Sequence, residues 1–261
     1  MSNSDRPKSI RKFAAGEAHV EVFVTRSEAG IAAAFDVANL IVRKQTVRAV
    51  FAAAPSQNVF LAALIGHPAI DWSRITAFHM DEYLGLGPDH PASFRRYLRE
   101  HLFEPAGIGS QNLRLIPGEQ VDRPMRVCLD YEDMLKSSPL DLVCAGIGEN
   151  GHLAFNDPPI ADFVDPVWVK VARLDEACRT QQVHDGCFAT IGDVPTHAYT
   201  LTIPALMSAP LVSVVVPGTR KAEAVRATIE GPISEACPAT VLRRHPGARI
   251  YLDQNSASLL I

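Results

Sequence analysis

No run in this 261-residue chain reaches the ~18 consecutive apolar residues of a membrane span. The opening stretch, MSNSDRPKSIRKF, has no apolar core of the kind a secretory signal needs. These two absences point to a cytoplasmic protein without a membrane partner. A basic surplus is missing as well. The formal net charge is −4, which argues against a nucleic-acid partner, because such binders carry an excess of Lys and Arg. The five cysteines, at 128, 144, 178, 187 and 237, form no C-x-x-C pair; an odd, scattered set fits reduced thiols in a reducing compartment. The histidines show no H-x-x-x-H spacing, so no metal site is legible. Internal repeats, low-complexity tracts and linkers are absent too.

What remains is the composition of an ordinary globular protein, 47% hydrophobic and 21% charged. The length suits one domain, 1–261, with 1–12 expected to be a flexible leader. Helical and strand-like patterns alternate through the chain. SEAGIAAAFDVANLIVRK (27–44) carries apolar residues at helical spacing, and VRAVFAAAP (47–55) is a short buried strand ending at proline. A helix over 56–67 follows, then a strand over 74–83 running into a loop, and a helix over 92–105. A brief strand at 112–118, a helix at 127–137 and a strand at 140–148 come next. The segment 198–209 starts as a strand and continues as a short helix; strand 210–218, helix 219–231 and strand 248–258 complete the series. Such alternation predicts an α/β fold, a mostly parallel sheet with helices on both faces. The proline-rich stretch 158–197 reads as irregular loops that cover a site.

In open α/β sheets, ligands bind at the carboxyl ends of the strands. Four strand ends therefore matter: 55–58, 79–83, 146–157 and 217–221. The third reads GIGENGHLAFNDPP, and Gly146, Gly148 and Gly151 spell the dinucleotide-binding G-x-G-x-x-G. That motif needs a helix straight after the glycines, to meet a pyrophosphate. Here Asn156, Asp157 and two prolines cut any helix after about one turn. The acidic residue expected ~20 positions on would fall near Asp165, in a proline-flanked stretch. The nucleotide reading fails. The glycines, Gly148 and Gly151 among them, instead permit a tight turn and close approach of a ligand. The turn presents Asn150, His152 and Asp157. A carboxylate five residues from an imidazole can fix its tautomer and raise its pKa; a structural histidine capping local carbonyls would use the same residues.

FHMDEYLGLGPDHPASF together with GIGENGHLAFNDP resembles the glucosamine-6-phosphate deaminase/isomerase family, a superfamily shared with 6-phosphogluconolactonases. VVVPGTRKAEAV is a third matching segment and ATVLRRHP a looser fourth, so the likeness spans roughly residues 30–255. The resemblance implies an α/β, Rossmann-like fold, aldose–ketose isomerisation of a 2-amino-2-deoxy hexose 6-phosphate with loss of ammonia, and a small sugar phosphate as partner. It implies that Asp81 moves the proton and that His152 assists ring opening, with Asp157 orienting the imidazole. The chemistry needs no organic cofactor. Asp157 stands where family members commonly carry Glu. Asn150 stands where some carry Asp, and an amide cannot shuttle protons. Lys221, at a helix start, matches the family's phosphate-binding lysine. The first strand end departs from the family: AAAPSQN replaces a glycine- and threonine-rich loop, leaving Ser56, Gln57 and Asn58 as donors at a helix N-terminus. No arginine after the histidine loop aligns with the family's phosphate arginine. A 6-phosphogluconolactonase-type hydrolase and a non-catalytic sugar-phosphate sensor are the alternatives. Assembly into a homo-oligomer is left open by the sequence.

Overall fold

The computed structural model describes residues 6–158, 160–184 and 186–261, the side chain of Ala177 excepted. In chain order the strands are β1 (Arg11–Ala15), β2 (Ala18–Phe23), β3 (Val47–Phe51), β4 (Ile75–His79), β5 (Asp81–Tyr83), β6 (Leu113–Arg114), β7 (Leu142–Ala145), β8 (Val169–Arg173), β9 (His197–Leu201), β10 (Leu211–Val216) and β11 (Ala248–Asp253). The helices are α1 (Arg26–Arg43), α2 (Asn58–Ile65), α3 (Phe94–Leu98), α4 (Pro124–Lys136), α5 (Glu176–His184), α6 (Ile203–Leu206) and α7 (Ala222–Glu230).

Among the described residues, eight strands make the main sheet, in the order β1-β2-β11-β10-β7-β3-β4-β6. Only β1 and β2 pair antiparallel; the other neighbours are parallel. The alternating pleat sends side chains to both faces, as a doubly covered sheet requires. Val50 enters one apolar core, with Val143, Val214 and Ile250. Its neighbours Ala49 and Phe51 enter the other, with Leu142, Cys144 and Val215. The second core is sealed by α1, whose alanines at 29, 32, 33 and 38 are wholly buried. A reciprocal cap starts that helix: the Glu28 N–H donates to Thr25 Oγ1 at 3.1 Å, and the Thr25 N–H donates to the Glu28 carboxylate at 2.9 Å. On the other face, α4 begins with Pro124 at its first turn and buries Val127, Cys128, Tyr131 and Leu135.

Strand order reverses around β3. The chain first builds outward to β4 and β6, then returns to place β7 and β10 on the opposite side. The carboxyl ends of β3, β7 and β10 therefore open side by side, the arrangement that creates a ligand crevice.

The fold class matches the sequence expectation, with three differences. First, the strand expected over 74–83 is two strands. β4 ends at His79, and after Met80 the chain enters β5, part of a separate antiparallel sheet ordered β5-β9-β8. Second, the stretch 158–197 is not simply loops: it holds β8 and α5. Third, residues 6–12 are not a free leader. Arg6 binds Glu21 at 2.9 Å and Asp36 at 2.6 Å, and Arg11 and Lys12 begin β1. Residues 1–5 lie outside the described residues. No described helix is long and apolar enough to cross a membrane.

Candidate active site

A cavity of about 520 Å³ opens at the carboxyl ends of β3, β4, β7 and β10, well within the ~300–1,000 Å³ range of small-molecule sites. Asp81, His152, Ser56, Gly148 and Lys221 all line it. Residues separated by up to 165 positions in the chain thus face one space.

Asp81 is set by the step between the two sheets. The Leu201 N–H donates to the Met80 carbonyl at 2.8 Å, and Asp81 pairs with Thr200 across β5 and β9. Behind it, His79 is wholly buried. Its Nε2 accepts from the Ile116 N–H at 2.7 Å, and its carbonyl accepts from the Tyr131 hydroxyl at 2.8 Å. Burial pushes the His79 pKa down to about 3, so this imidazole is a neutral support. Among the described residues the Asp81 carboxylate has no hydrogen-bond or ion-pair partner, and only 7% of the residue is exposed. Burial, with the charge of Glu82 adding to it, holds its carboxyl well above the usual range. The extended backbone turns Glu82 the other way. There it accepts from Ser93 Oγ at 2.7 Å, from the Phe94 and Arg95 N–H groups at 3.1 and 3.0 Å, and from Arg95 Nε at 3.2 Å. Glu82 thereby ties down the start of α3, and Ser93 and Phe94 form one wall of the cavity.

His152 is organised differently. Its Nδ1 lies 2.7 Å from Asn150 Oδ1 and 3.0 Å from Asp157 Oδ1. Two acceptor oxygens around one nitrogen mean that Nδ1 carries the hydrogen, and Nε2 keeps a lone pair. Asn150 closes the group: its Nδ2 donates to Asp157 Oδ1 at 3.0 Å. Asp157 is wholly buried, and burial alone would raise its pKa. The hydrogen bond and charge of His152, with help from Asn150 and the Cys178 thiol, outweigh that and leave the carboxyl below its ordinary value. Among the described residues His152, Asp157 and Cys178 form a group of potential metal donors within 4.8 Å of one another. In this arrangement the hydrogen on Nδ1 occupies the lone pair that a metal at that nitrogen would need.

The glycines explain themselves in this loop. A Cβ on Gly148 would lie 2.2 Å from His152 Cε1, so the imidazole is laid flat against a bare α-carbon. Gly151 has φ of +84°, and a Cβ there would strike Cys237 Sγ at 2.5 Å. Gly151 packs against that side chain and does not line the cavity. Ala154, which does, takes φ of +50°, unusual outside glycine. The loop is stitched down beyond it: the Phe155 N–H donates to Thr200 Oγ1 at 3.0 Å, and Asn156 Nδ2 donates to the Leu153 and Leu201 carbonyls, both at 2.8 Å.

Of the three donors expected at the first strand end, Ser56 lines the cavity. Gln57 is buried and its Nε2 donates to the Val215 carbonyl at 3.1 Å, joining the loop to β10. Asn58 is exposed, lies off the cavity and accepts from the Tyr97 hydroxyl. At the end of β10, Gly218 has φ of +97° and its N–H donates to the buried Asp253 carboxylate at 3.0 Å. The turn Thr219–Lys221 follows and leads into α7, so Lys221 stands at a helix N-terminus, whose dipole favours an anion.

Arg26, Thr219, Gln181 and Gln182 also line the cavity, and sequence reasoning missed them. The two glutamines come from α5. A signal for that helix existed: Asp175 directly precedes it, and its carboxylate accepts from the Cys178 N–H at 2.6 Å as an N-cap does. Arg179 is occupied elsewhere, donating to the Ile191 and Val194 carbonyls.

Residues 32–251 match the family model described as glucosamine-6-phosphate isomerases/6-phosphogluconolactonase. The chain belongs to this family. It is 37% identical to a glucosamine-6-phosphate deaminase of Exiguobacterium sibiricum over 197 residues, 73% of either chain. It is 35% identical to a Listeria monocytogenes glucosamine-6-phosphate deaminase over 191 residues, 73% of this chain and 78% of the relative. Among solved structures, a monomeric glucosamine-6-phosphate deaminase superposes with a TM-score of 0.86 at 30% identity, covering 92% of this chain and 99% of that one. A Trypanosoma brucei 6-phosphogluconolactonase superposes at 0.74 with 18% identity, covering 93% and 98%, a likeness of fold alone.

Proposed function

We propose that this chain converts glucosamine 6-phosphate and water into fructose 6-phosphate and ammonia, through aldose–ketose isomerisation followed by deamination. The relatives named as deaminases support the reaction class. The observation that carries the reading is the pairing of unlike groups in one cavity: a bare carboxylate with a raised pKa, and an imidazole backed by a carboxylate. A carboxyl raised by burial and an imidazole held in one tautomer give one site two different proton carriers.

In this reading His152 Nε2 passes a proton between the ring oxygen and the anomeric hydroxyl, opening the sugar. The ionised Asp81 takes the C2 proton while a proton of the substrate's own C2 ammonium passes to the C1 oxygen, leaving a neutral enolamine across C1 and C2. It returns the proton to C1, which leaves an imine at C2. Water adds to that imine, and ammonia departs to leave the ketone. Asp157 and Asn150 hold the imidazole in its working tautomer throughout. Ser56, Thr219 and Lys221 receive the phosphate, with the dipole of the α7 N-terminus behind them. The site is a single-domain one and works in the cytoplasm.

The test is to incubate the protein with glucosamine 6-phosphate, galactosamine 6-phosphate and 6-phosphogluconolactone, measuring ammonia and acid release. Ammonia from the glucosamine ester is expected. Acid from the lactone alone would replace this reading with a hydrolase. Binding without turnover of any of the three would replace it with a sensor.

A further inference from the structure

We propose that Arg26, in the first turn of α1, is a phosphate-binding residue that grips the sugar phosphate opposite Lys221. The inference rests on the sugar-phosphate reading of the cavity. Three observations carry it.

The first is position. α1 and α2 both start at the carboxyl edge of the sheet and pack closely: a Cβ on Gly30 would lie 2.8 Å from Val59 Cγ1 and 3.1 Å from the Phe60 nitrogen. One turn earlier stand Arg26, at the start of α1, and Ser56, in the turn that leads into α2, and both line the cavity, with Thr219 and Lys221. The second is chemistry. The loop from Ala52 to Pro55 offers no side-chain donor, so the wall beside Ser56 needs one from elsewhere. A guanidinium supplies a planar fork that meets two phosphate oxygens at once, whereas the Lys221 ammonium is a point charge. The third is the state of the guanidinium. Among the described residues it makes no hydrogen bond, ion pair or ring contact, and Glu28, the nearest acid in its own helix, is committed to the Thr25 cap. A cation at a helix N-terminus is disfavoured by the helix dipole. A bound dianion reverses that penalty, so the placement gains from ligand what it costs the empty helix.

The experiment compares the wild type with Arg26→Ala, Arg26→Gln and Arg26→Lys. For Arg26→Ala and Arg26→Gln, KM for glucosamine 6-phosphate should rise roughly 10- to 100-fold, the range for losing a hydrogen-bonded charge pair, with kcat within about twofold. Arg26→Lys should recover part of the loss. Inhibition by inorganic phosphate should weaken in parallel, while slow turnover of glucosamine, which has no phosphate, should not change. An unchanged KM, or an equal loss on glucosamine, would overturn the assignment and leave the deaminase reading intact. If the wild type releases no ammonia from the sugar phosphate, the deaminase reading fails instead. Calorimetric binding of fructose 6-phosphate then judges Arg26 alone: weaker binding by Arg26→Ala supports it, and equal binding refutes it.

Discussion

Asp81 and Asp157 are both buried carboxylates of one site, yet their surroundings are opposite. Asp81 has no polar partner among the described residues, and burial raises its pKa. Asp157 is as deeply buried but meets His152, Asn150 and Cys178, and its pKa is lowered. Burial acts the same way on both, so the supply of donors decides the sign. The consequences for stability also oppose each other. A carboxyl whose pKa is raised by folding contributes stability below its unfolded pKa of about 3.9 and loses it as pH rises through the folded value. At neutral pH, Asp81 therefore costs the fold. A carboxyl with a lowered pKa contributes above the unfolded value and loses that contribution as pH falls through the folded one. Asp157 therefore helps the fold at neutral pH.

The sharpest way to break the comparison is Asp81→Asn. Turnover should drop about 10²- to 10⁴-fold, the usual span for a positioned acid–base, with KM little changed. The thermal midpoint at pH 7 should rise, since the variant removes an unpartnered buried charge. Calorimetry beside ammonia-release kinetics reads both. A falling midpoint would mean that Asp81 has a stabilising partner, and the contrast with Asp157 would be lost. In the wild type, the acid limb of kcat/KM should lie above the ordinary carboxylate range, because the ionised base disappears as pH drops through a raised pKa.

Asp157→Asn is next in size. Here kcat/KM should fall about 10²-fold, at the lower end for acid–base groups, because an amide cannot hold the His152 tautomer as a carboxylate does. Stability at pH 7 should fall by about 1–3 kcal/mol, the cost of hydrogen bonds to a charged group. Denaturant titrations from pH 7 downward check the sign: the wild-type advantage over the variant should shrink as Asp157 titrates. An advantage that grows in acid would contradict the lowered pKa.

How much of this was legible in the sequence follows the range of the interactions. The nucleotide reading could be rejected from local text, since Asn156, Asp157 and two prolines stop the needed helix. The pairing of His152 with Asp157 is also local, and the structure realises it at 3.0 Å. The strand ends that converge on the cavity were readable from alternating patterns. The small sheet was not: β5 has three residues, too few for a period to register, and its partner β9 lies over a hundred positions away. Nor was the hairpin β1–β2 picked out, whose first residues, Arg11 and Lys12, end the stretch 1–12 read as flexible. Cys178 reaches Asp157 only through the placement of α5, so a cysteine judged by C-x-x-C spacing gave no sign of it. Arg26 fell just outside the helix read over 27–44, and only the side-by-side starts of α1 and α2 bring it to the cavity. Gln57 and Asn58 carried the right chemistry, but the turn Pro55–Gln57 aims one into the fold and the other at Tyr97.

The smallest predicted effect tests whether the two ends of the cavity are independent. Asp253 is 2% exposed and takes the Gly218 N–H with both oxygens, at 3.0 and 3.2 Å, while its Oδ1 also accepts from the Ser256 N–H at 2.7 Å. It touches no part of the acid–base relay. Its carboxylate fixes the positive φ of Gly218 and so the direction in which the Thr219–Lys221 turn presents its donors. Asp253→Asn keeps the size and one acceptor but weakens that anchor. The expected result is a KM for glucosamine 6-phosphate raised about fivefold, equivalent to one hydrogen bond of ~1 kcal/mol, with kcat unchanged. Initial-rate kinetics across substrate concentration separates the two constants. A fall in kcat at constant KM would mean that strain in the phosphate turn reaches His152, and that the donors at one end and the proton carriers at the other are mechanically one unit.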